Sequence, residues 1–327
     1  MSSRVLVTGG SGFIGTNLVE KFVTDGDQVL NLDIRPPRNN AHNAHWKKVD
    51  LLDADGLGNA IRGFLPDVIL HMAARTDLDG RAVGDYSANT VGVQNLIAAI
   101  DGVSSIRRVV FASSRLVCRI GYQPANDCDY CPTTPYGESK VVGEELVRET
   151  AGCVGYTWTI VRPTSIWGPW FDVPYKTFFL AIARGRYFHP GKARIQKSFG
   201  FIGNTVYQLQ RLLDASPSAV GGRTLYLADY PPIEVGEMAD TIQRKLKASP
   251  IRSVDIRLLR AASRVGDSLK SLGWRNPPLT SFRLDNLLTP MTHDMEPLKS
   301  VVGELPYSMS QGVDITVDWL KEQGEVH

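Results

Sequence analysis

Cysteine is scarce. The 327 residues hold four, at 118, 128, 131 and 153, too few and too clustered for a disulfide framework, so reduced thiols are expected. Cys128-Asp129-Tyr130-Cys131 has the spacing of half a zinc site or a redox pair. No second CxxC or nearby histidine completes it, which favours an ordinary loop and no metal. No apolar stretch approaches the roughly 20 residues that cross a bilayer, so no membrane partner is expected. The first apolar run starts at Arg4, too early for a leader peptide, and the expected compartment is the cytoplasm. Neither sign of charge is in excess: 36 Lys and Arg face 34 Asp and Glu, a net of +2. The basic residues are scattered rather than run together, so no nucleic-acid partner is expected. Internal repeats and low-complexity tracts are absent too. With 43% hydrophobic and 21% charged residues, the chain can bury a large core and a second, smaller lobe.

Glycine, by contrast, is concentrated where it has a use. Arg4-Val5-Leu6-Val7-Thr8 reads as a buried strand and runs directly into Gly9-Gly10-Ser11-Gly12-Phe13-Ile14-Gly15. Both Gly10-x-Gly12-x-x-Gly15 and Gly9-x-x-Gly12-x-x-Gly15 fit a dinucleotide-binding turn, with a pyrophosphate on the N-terminus of the helix that starts near Gly12. Such a turn also occurs for structural reasons alone, and the context decides. The next apolar run, Gln28 to Asp33, ends in a carboxylate about 20 residues on, where the adenosine ribose hydroxyls would be held. Asp33 repels a 2′-phosphate and favours NAD; Arg35, two residues beyond, would welcome that phosphate and leaves NADP open.

Further apolar runs, Trp46 to Asp50, Asp67 to Met72, Arg108 to Ala112 and Tyr156 to Val161, alternate with helical stretches. That rhythm implies an α/β fold with a doubly wound parallel Rossmann sheet and a smaller C-terminal substrate lobe. Val68-Ile69-Leu70 and Val109-Val110-Phe111 are apolar at consecutive positions, as strands covered on both faces require. Asp53 reads as a helix N-cap. From Arg162-Pro163 the rhythm breaks into prolines and glycines. Residues 1–162 are therefore taken as the cofactor-binding domain and 163–327 as mainly the substrate lobe, with some segments free to return to the sheet. In that second part a strand at Thr224 to Leu227 and helices around Thr177 to Ala183, Val235 to Leu246 and Ser253 to Leu272 are expected.

Tyr136 and Lys140 stand four apart at the opening of a helix introduced by Pro135, hence on one face. A phenol titrates near 10, so it serves as a base at neutral pH only when a nearby cation favours the phenolate, which Lys140 would supply. The strand Val109 to Ala112 ends in Ser113-Ser114 at the carboxyl edge of the sheet, where ligands of such folds bind. One of these hydroxyls would orient the reacting oxygen.

The order TGGSGFIG, Asp33, Val49-Asp50-Leu51, His71-Met72-Ala73-Ala74, Asn89, FASS, YGESK and VRPTSIWGP resembles the extended short-chain dehydrogenase/reductase family, and within it the NAD-dependent nucleotide-sugar epimerase/dehydratase group. The resemblance runs from Val5 to about Pro169, continues loosely through Lys197 to Asn204 and fades beyond Ala228. It implies Tyr136 as base and acid, Lys140 as its partner and ribose ligand, and Ser114 rather than Ser113 as the hydroxyl-orienting residue. Gly9, Gly12, Phe13, Ile14, Gly15, Asp33, Asp50, Leu51, Ala73 and Ala74 would hold NAD together with Tyr136 and Lys140. Lys197, with Lys192 and Arg194 as neighbours, would meet the diphosphate of a nucleotide sugar, and Asn89 would support the fold. The helices around Gly84 to Ile100 and Tyr136 to Thr150 resemble those of the family's homodimer, with Val91, Ile97, Val141 and Val142 as apolar contacts.

Three departures bear on the sugar: Val117-Cys118-Arg119 replaces a Val-Tyr-Gly, Ser165 stands for an asparagine, and Lys197 for an arginine, a point charge in place of a fork. The acid pair that a dehydratase of the group places after the serines is Arg115-Leu116 here, and the cysteine of the fucose-forming branch is missing from that position. The remaining reaction is 4-epimerisation by transient oxidation and hydride return. The alternatives are an NAD(P)-dependent reductase or dehydrogenase of a keto-sugar nucleotide or a steroid-like or flavonoid-like alcohol, and a cofactor-binding scaffold without turnover.

Overall fold

The strands that alternate with helices in the sequence assemble into one parallel sheet. In the computed structural model, which describes residues 2–150, 152–191, 193–274 and 279–326, β1 (Arg4–Thr8), β2 (Gln28–Asp33), β3 (Trp46–Lys48), β4 (Val68–His71), β5 (Arg108–Ala112), β6 (Thr157–Pro163) and β7 (Thr224–Leu227) form it. Their order across the sheet is β7-β6-β5-β4-β1-β2-β3, and neighbouring strands are parallel throughout. The order reverses between β1 and β4. This is the switch point at which a crevice opens outside the carboxyl ends of the strands.

Every residue of β4 is buried, so its unbroken apolar run is explained by helices on both faces. On one face α2 (Ala54–Phe64), α3 (Val91–Ile100) and α4 (Pro135–Glu149) enclose a core that includes Leu6, Leu57, Ile61, Ile69, Leu96 and Val109, none with measurable exposure. Each such side chain contributes about 1.5–3 kcal/mol relative to leaving it in water. On the other face α1 (Phe13–Thr24) packs with the helix Ile202–Asp214. The C-terminal end of that helix is bound by Arg108, which donates to the Leu212 and Ala215 carbonyls at 3.3 and 2.7 Å.

The helix starts follow the sequence. Asp53 caps α2 by accepting from the Gly56 N–H at 3.0 Å; Thr134 caps α4 by accepting from Gly137 at 3.1 Å, with Pro135 in the first turn. Differences lie at the edges: β3 stops at Lys48, and β6 runs on through Pro163.

The chain divides into two units. The first holds Met1–Ile166, Gly200–Ala228 and Asp294–Pro306; the second holds Trp167–Phe199, Asp229–His293 and Tyr307–His327. The second unit contains helices at Tyr175–Ala183, Val235–Leu246, Ile256–Ser271, Ser281–Leu288 and Met309–Glu322, and two short strand pairs, 188–190 with 252–254 and 196–197 with 233–234. Its core is aromatic: Trp167 and Phe171 meet Phe179, and Trp319 lies against Phe171.

Candidate active site

The glycines at the switch point are required by close approach. Gly9 has φ +71°, and a Cβ there would fall 2.6 Å from the Ala73 backbone, so the loops after β1 and β4 cross with no side chain between them. A Cβ on Gly15 would lie 2.1 Å from the Gly9 carbonyl oxygen; the glycine lets α1 sit on the turn. Gly12 is the N-cap of α1 and gives it no side-chain cap, unlike Asp53 and Thr134. Helix N-termini of this kind, positive and with backbone N–H groups unsatisfied by a cap, take a pyrophosphate.

Around this turn the expected cofactor ligands gather. The Asp33 carboxylate at the end of β2 accepts from the backbone N–H of Ser11 at 3.1 Å and of Arg35 at 2.9 Å. It is thereby fixed at the rim of the turn, with lone pairs left for ribose hydroxyls. Ala73 donates its N–H to the Thr8 hydroxyl at 3.3 Å. Asp50 is exposed and accepts from Leu52 N–H at 2.9 Å, while Leu51 is buried. These residues fit a dinucleotide, whose pyrophosphate Gly9, Gly12, Phe13, Ile14 and Gly15 would meet and whose ribose Asp33 would hold.

At the end of β5 the two serines part. The Ser114 hydroxyl accepts from Leu116 N–H at 3.1 Å and is next to the Tyr136 phenol; Ser113 lies beside the Glu144 carboxylate. The first turn of α4 comes this close because residue 137 is glycine, whose Cβ would stand 2.3 Å from the Leu116 carbonyl oxygen. Tyr136 is buried, with its ring edge-on to Tyr86 at 5.9 Å between centroids. Burial pushes the phenol above its ordinary range, opposed by the Ser114 hydroxyl and the Arg115 charge. Lys140, one turn along α4, is buried too, and donates to the Ala112 carbonyl at 2.9 Å. Burial brings its ammonium down to about 8, against the pull of Glu144. Ser114 and Arg115 both favour the phenolate in this arrangement, and Lys140 is held by the β5 backbone.

Below Lys140 lies a cavity of about 20 Å³ lined by His71, Asn89, Ser113, Lys140 and Glu144 among others, room for about one water molecule. Burial, then the Lys140 charge, hold His71 down at about 3, so the imidazole is neutral. Its Nδ1 lies 2.8 Å from the Thr8 hydroxyl. That hydroxyl also accepts from Ala73 N–H, so Thr8 links the imidazole to the loop after β4. Asn89 pins the loop after β4 to α4, accepting from Arg75 N–H at 2.8 Å and donating to Ser139 Oγ at 3.0 Å.

Sequence reasoning assigned no role to the charges on the far side of Lys140. Glu144 is bound through both oxygens by Arg162, Nε to Oε1 at 2.8 Å and Nη2 to Oε2 at 2.8 Å, and accepts from Tyr130 at 3.0 Å and Arg148 at 3.1 Å. Burial pushes the Glu144 carboxyl up, but Arg162 outweighs it and holds it below the usual carboxylate range. The available signal was the position of Glu144, one further turn along the Tyr136–Lys140 face.

The expected diphosphate ligands lie in the second unit or outside the described residues. Lys197 is buried and donates to the Asn286 carbonyl at 2.6 Å. Arg194 lines an open groove of about 610 Å³ with Glu234, Glu237, Asp240 and Arg244, so carboxylates outnumber guanidiniums around it. Lys192 is outside the described residues. Cys128 is exposed, and among the described residues no group of His, Cys, Asp and Glu is placed to hold a metal. Cys131 instead pairs its backbone with that of Cys118.

A parallel sheet with a glycine turn at its switch point and a Ser-Tyr-Lys set beside it defines a dinucleotide-dependent oxidoreductase of the short-chain type. The chain belongs to the NAD-dependent epimerase/dehydratase family, whose sequence profile matches residues 5–187, and is an NAD-dependent enzyme of the extended short-chain dehydrogenase/reductase type. It is 26% identical to an N-acetyl-α-D-glucosaminyl-diphospho-ditrans,octacis-undecaprenol 4-epimerase of Escherichia coli O157:H7, over 98% of this chain and 96% of that one. A 3-beta-hydroxysteroid dehydrogenase of Mycolicibacterium neoaurum is 29% identical over 72% of this chain and 68% of its own. Among solved structures, the UDP-glucose 4-epimerase of Thermotoga maritima with UDP-glucose shares the fold at a TM-score of 0.76 and 18% identity, over 98% of this chain and 100% of that one.

Proposed function

We propose that this enzyme is a 4-epimerase of a diphosphate-linked sugar, in the first place a nucleotide sugar. The observation that carries the reading is the pairing of Ser114 with Tyr136 at the carboxyl end of β5, followed by Arg115 and Leu116 where a dehydratase would need acids. When bound on the glycine turn, NAD supplies the acceptor and donor of hydride. Ser114 orients the sugar hydroxyl, and Tyr136 takes its proton and later returns it. Lys140 holds positive charge next to the base from a fixed position on the Ala112 carbonyl. Arg115 adds charge that favours the phenolate.

The test is incubation of the purified protein with UDP-sugars and NAD, followed by NMR. Interconversion of the 4-epimers without net consumption of NAD is expected, and no interconversion of any UDP-sugar would overturn the nucleotide-sugar reading. The E. coli relative is named for a sugar on a polyprenyl diphosphate, and the same assay on that substrate class separates the carrier from the chemistry. A second reading, a one-way dehydrogenase or reductase, has the steroid dehydrogenase relative in its favour; net change in NADH absorbance with product would select it. Should Tyr136→Phe leave every activity intact, a scaffold without turnover replaces both.

The chain is also proposed to form a homodimer through α3 and α4. Val91 is 45% exposed and Ile97, Val141 and Val142 are half-buried, an apolar strip that a second copy would cover. A monomeric mass by light scattering removes this proposal.

A further inference from the structure

The helix Ile256–Ser271 leaves part of its apolar surface facing outward. The buried seam is made of small residues: Ser263 and Gly266 lie against 279–281, where a Cβ on Gly266 would fall 1.8 Å from the Leu279 carbonyl oxygen. Ser263 and Ser281 bring their hydroxyls to 3.3 Å, and the Asp267 carboxylate accepts from the Ser281 N–H at 3.1 Å. Three large apolar residues are outside, while Ile256, Leu259 and Leu269 are half-buried. Leu258 is 65% exposed, Val265 60% and Leu272, just past the helix end, 83%. These three stand seven apart, so they drift by only about 20° per step and form one stripe. Arg257 and Arg264 are exposed along one shoulder of it, and Arg260 is exposed further round the same side. Of the acids on the helix, Asp255 is its N-cap, accepting from Arg257 N–H at 2.7 Å, and Asp267 faces the seam, which leaves the arginines in excess on the exposed side. Trp274, 52% exposed, follows the stripe.

We propose that this face is a docking surface for an anionic lipid bilayer. A helix with an exposed apolar stripe and arginines at its edge lies in the headgroup plane, with the stripe in the acyl boundary and the guanidiniums on phosphates. Charge decides between occupants. Two copies meeting through this face would set the same arginines against one another, whereas anionic headgroups complement them. The sequence led to no expected membrane partner because it has no stretch long enough to span, and among the described residues no helix is long and apolar enough to cross a membrane; lying on a bilayer needs neither. The inference is independent of which sugar the enzyme takes.

The test is co-sedimentation of the full chain with vesicles of phosphatidylcholine alone and of phosphatidylcholine with phosphatidylglycerol. Binding to the mixed vesicles, weakened by salt and weak on the neutral ones, is expected. Each arginine near an anionic surface is worth about a fivefold gain in partitioning, so the triple variant Arg257→Gln, Arg260→Gln, Arg264→Gln should bind on the order of a hundredfold less tightly. The variant Leu258→Gln, Val265→Gln, Leu272→Gln should lose most binding even at low salt, and since all six side chains are exposed both variants should melt like the parent. No binding to mixed vesicles, equal binding to neutral ones, or parental binding by both variants overturns the proposal. If the apolar variant instead lowers the oligomeric mass in light scattering while vesicle binding is unchanged, the face joins copies of this chain and the lipid proposal is wrong.

Discussion

Glu144 and Arg162 meet as a two-point ion pair between α4 and β6, each side chain only 1% exposed. The pair ties the helix that carries Tyr136 and Lys140 to the strand next to the one that carries Ser114, and so fixes the spacing of the catalytic set. Removing one partner of such a buried pair typically costs about 3–5 kcal/mol, while replacing both with apolar groups costs far less. Glu144→Gln should therefore lower the urea midpoint strongly. The double variant Glu144→Leu, Arg162→Met should be less destabilised than the sum of its single variants. Strict additivity of the three values would show that the two side chains are not coupled.

Tyr136→Phe keeps the ring that packs on Tyr86 and removes only the hydroxyl. Turnover should fall by about 10²- to 10⁴-fold, the usual worth of a positioned acid–base group, with NAD affinity by fluorescence titration unchanged. An equal loss of NAD affinity would mean that the phenol holds the cofactor rather than the proton.

His71 makes stability depend on pH. The unfolded chain takes up the imidazole proton below about 6.5, and the folded one only near 3. Between these values the unfolded state binds more protons, so stability falls as the pH drops through that window and is unaffected by His71 above it. Glu144, also held low, adds a loss of the same sign at more acid pH, so the comparison is between variants. His71→Asn, whose amide can still hydrogen-bond Thr8, should give a shallower fall in urea midpoint from pH 7 to 4.5. Parallel slopes would assign the acid lability to other groups.

Gly15→Ala and Gly12→Ala should separate folding from loading. The first places a Cβ 2.1 Å from the Gly9 carbonyl oxygen, and the second 3.1 Å from the same atom with nothing else near. Overpacking of the first kind costs about 1–3 kcal/mol, so Gly15→Ala should melt lower with or without NAD. Gly12→Ala should melt close to the parent without NAD and lose the shift that NAD produces. Equal behaviour of the two would remove the distinction between packing and ligand glycines.

The local signals carried the sheet: Gln28–Asp33, Arg108–Ala112 and Thr224–Leu227 lie where their apolar runs put them, and Asp53 and Pro135 mark the helix starts because capping is decided within one turn. The site was legible only as far as spacing along one element reaches. Tyr136 and Lys140 share a face of α4 by periodicity, but the carbonyl that engages Lys140 lies 28 residues away. Arg162 read as the start of a loop-rich stretch, since nothing local reveals a buried carboxylate 18 residues back. Lys197 read as a loop cation for the same reason; its partner Asn286 is 89 residues on. Long-range pairing of charged groups leaves no periodic trace.

The start of α1 is finished by no side chain of its own. Asp53 and Thr134 close their helices from within the chain, whereas α1 starts on Gly12 with no such oxygen. A dinucleotide phosphate bound there would do the work of a capping residue, and a ligand bound only by the folded state stabilises it with the logarithm of its concentration. On that reading the stability of the fold would follow the supply of NAD, and the turn after β1 is where its loss would be felt.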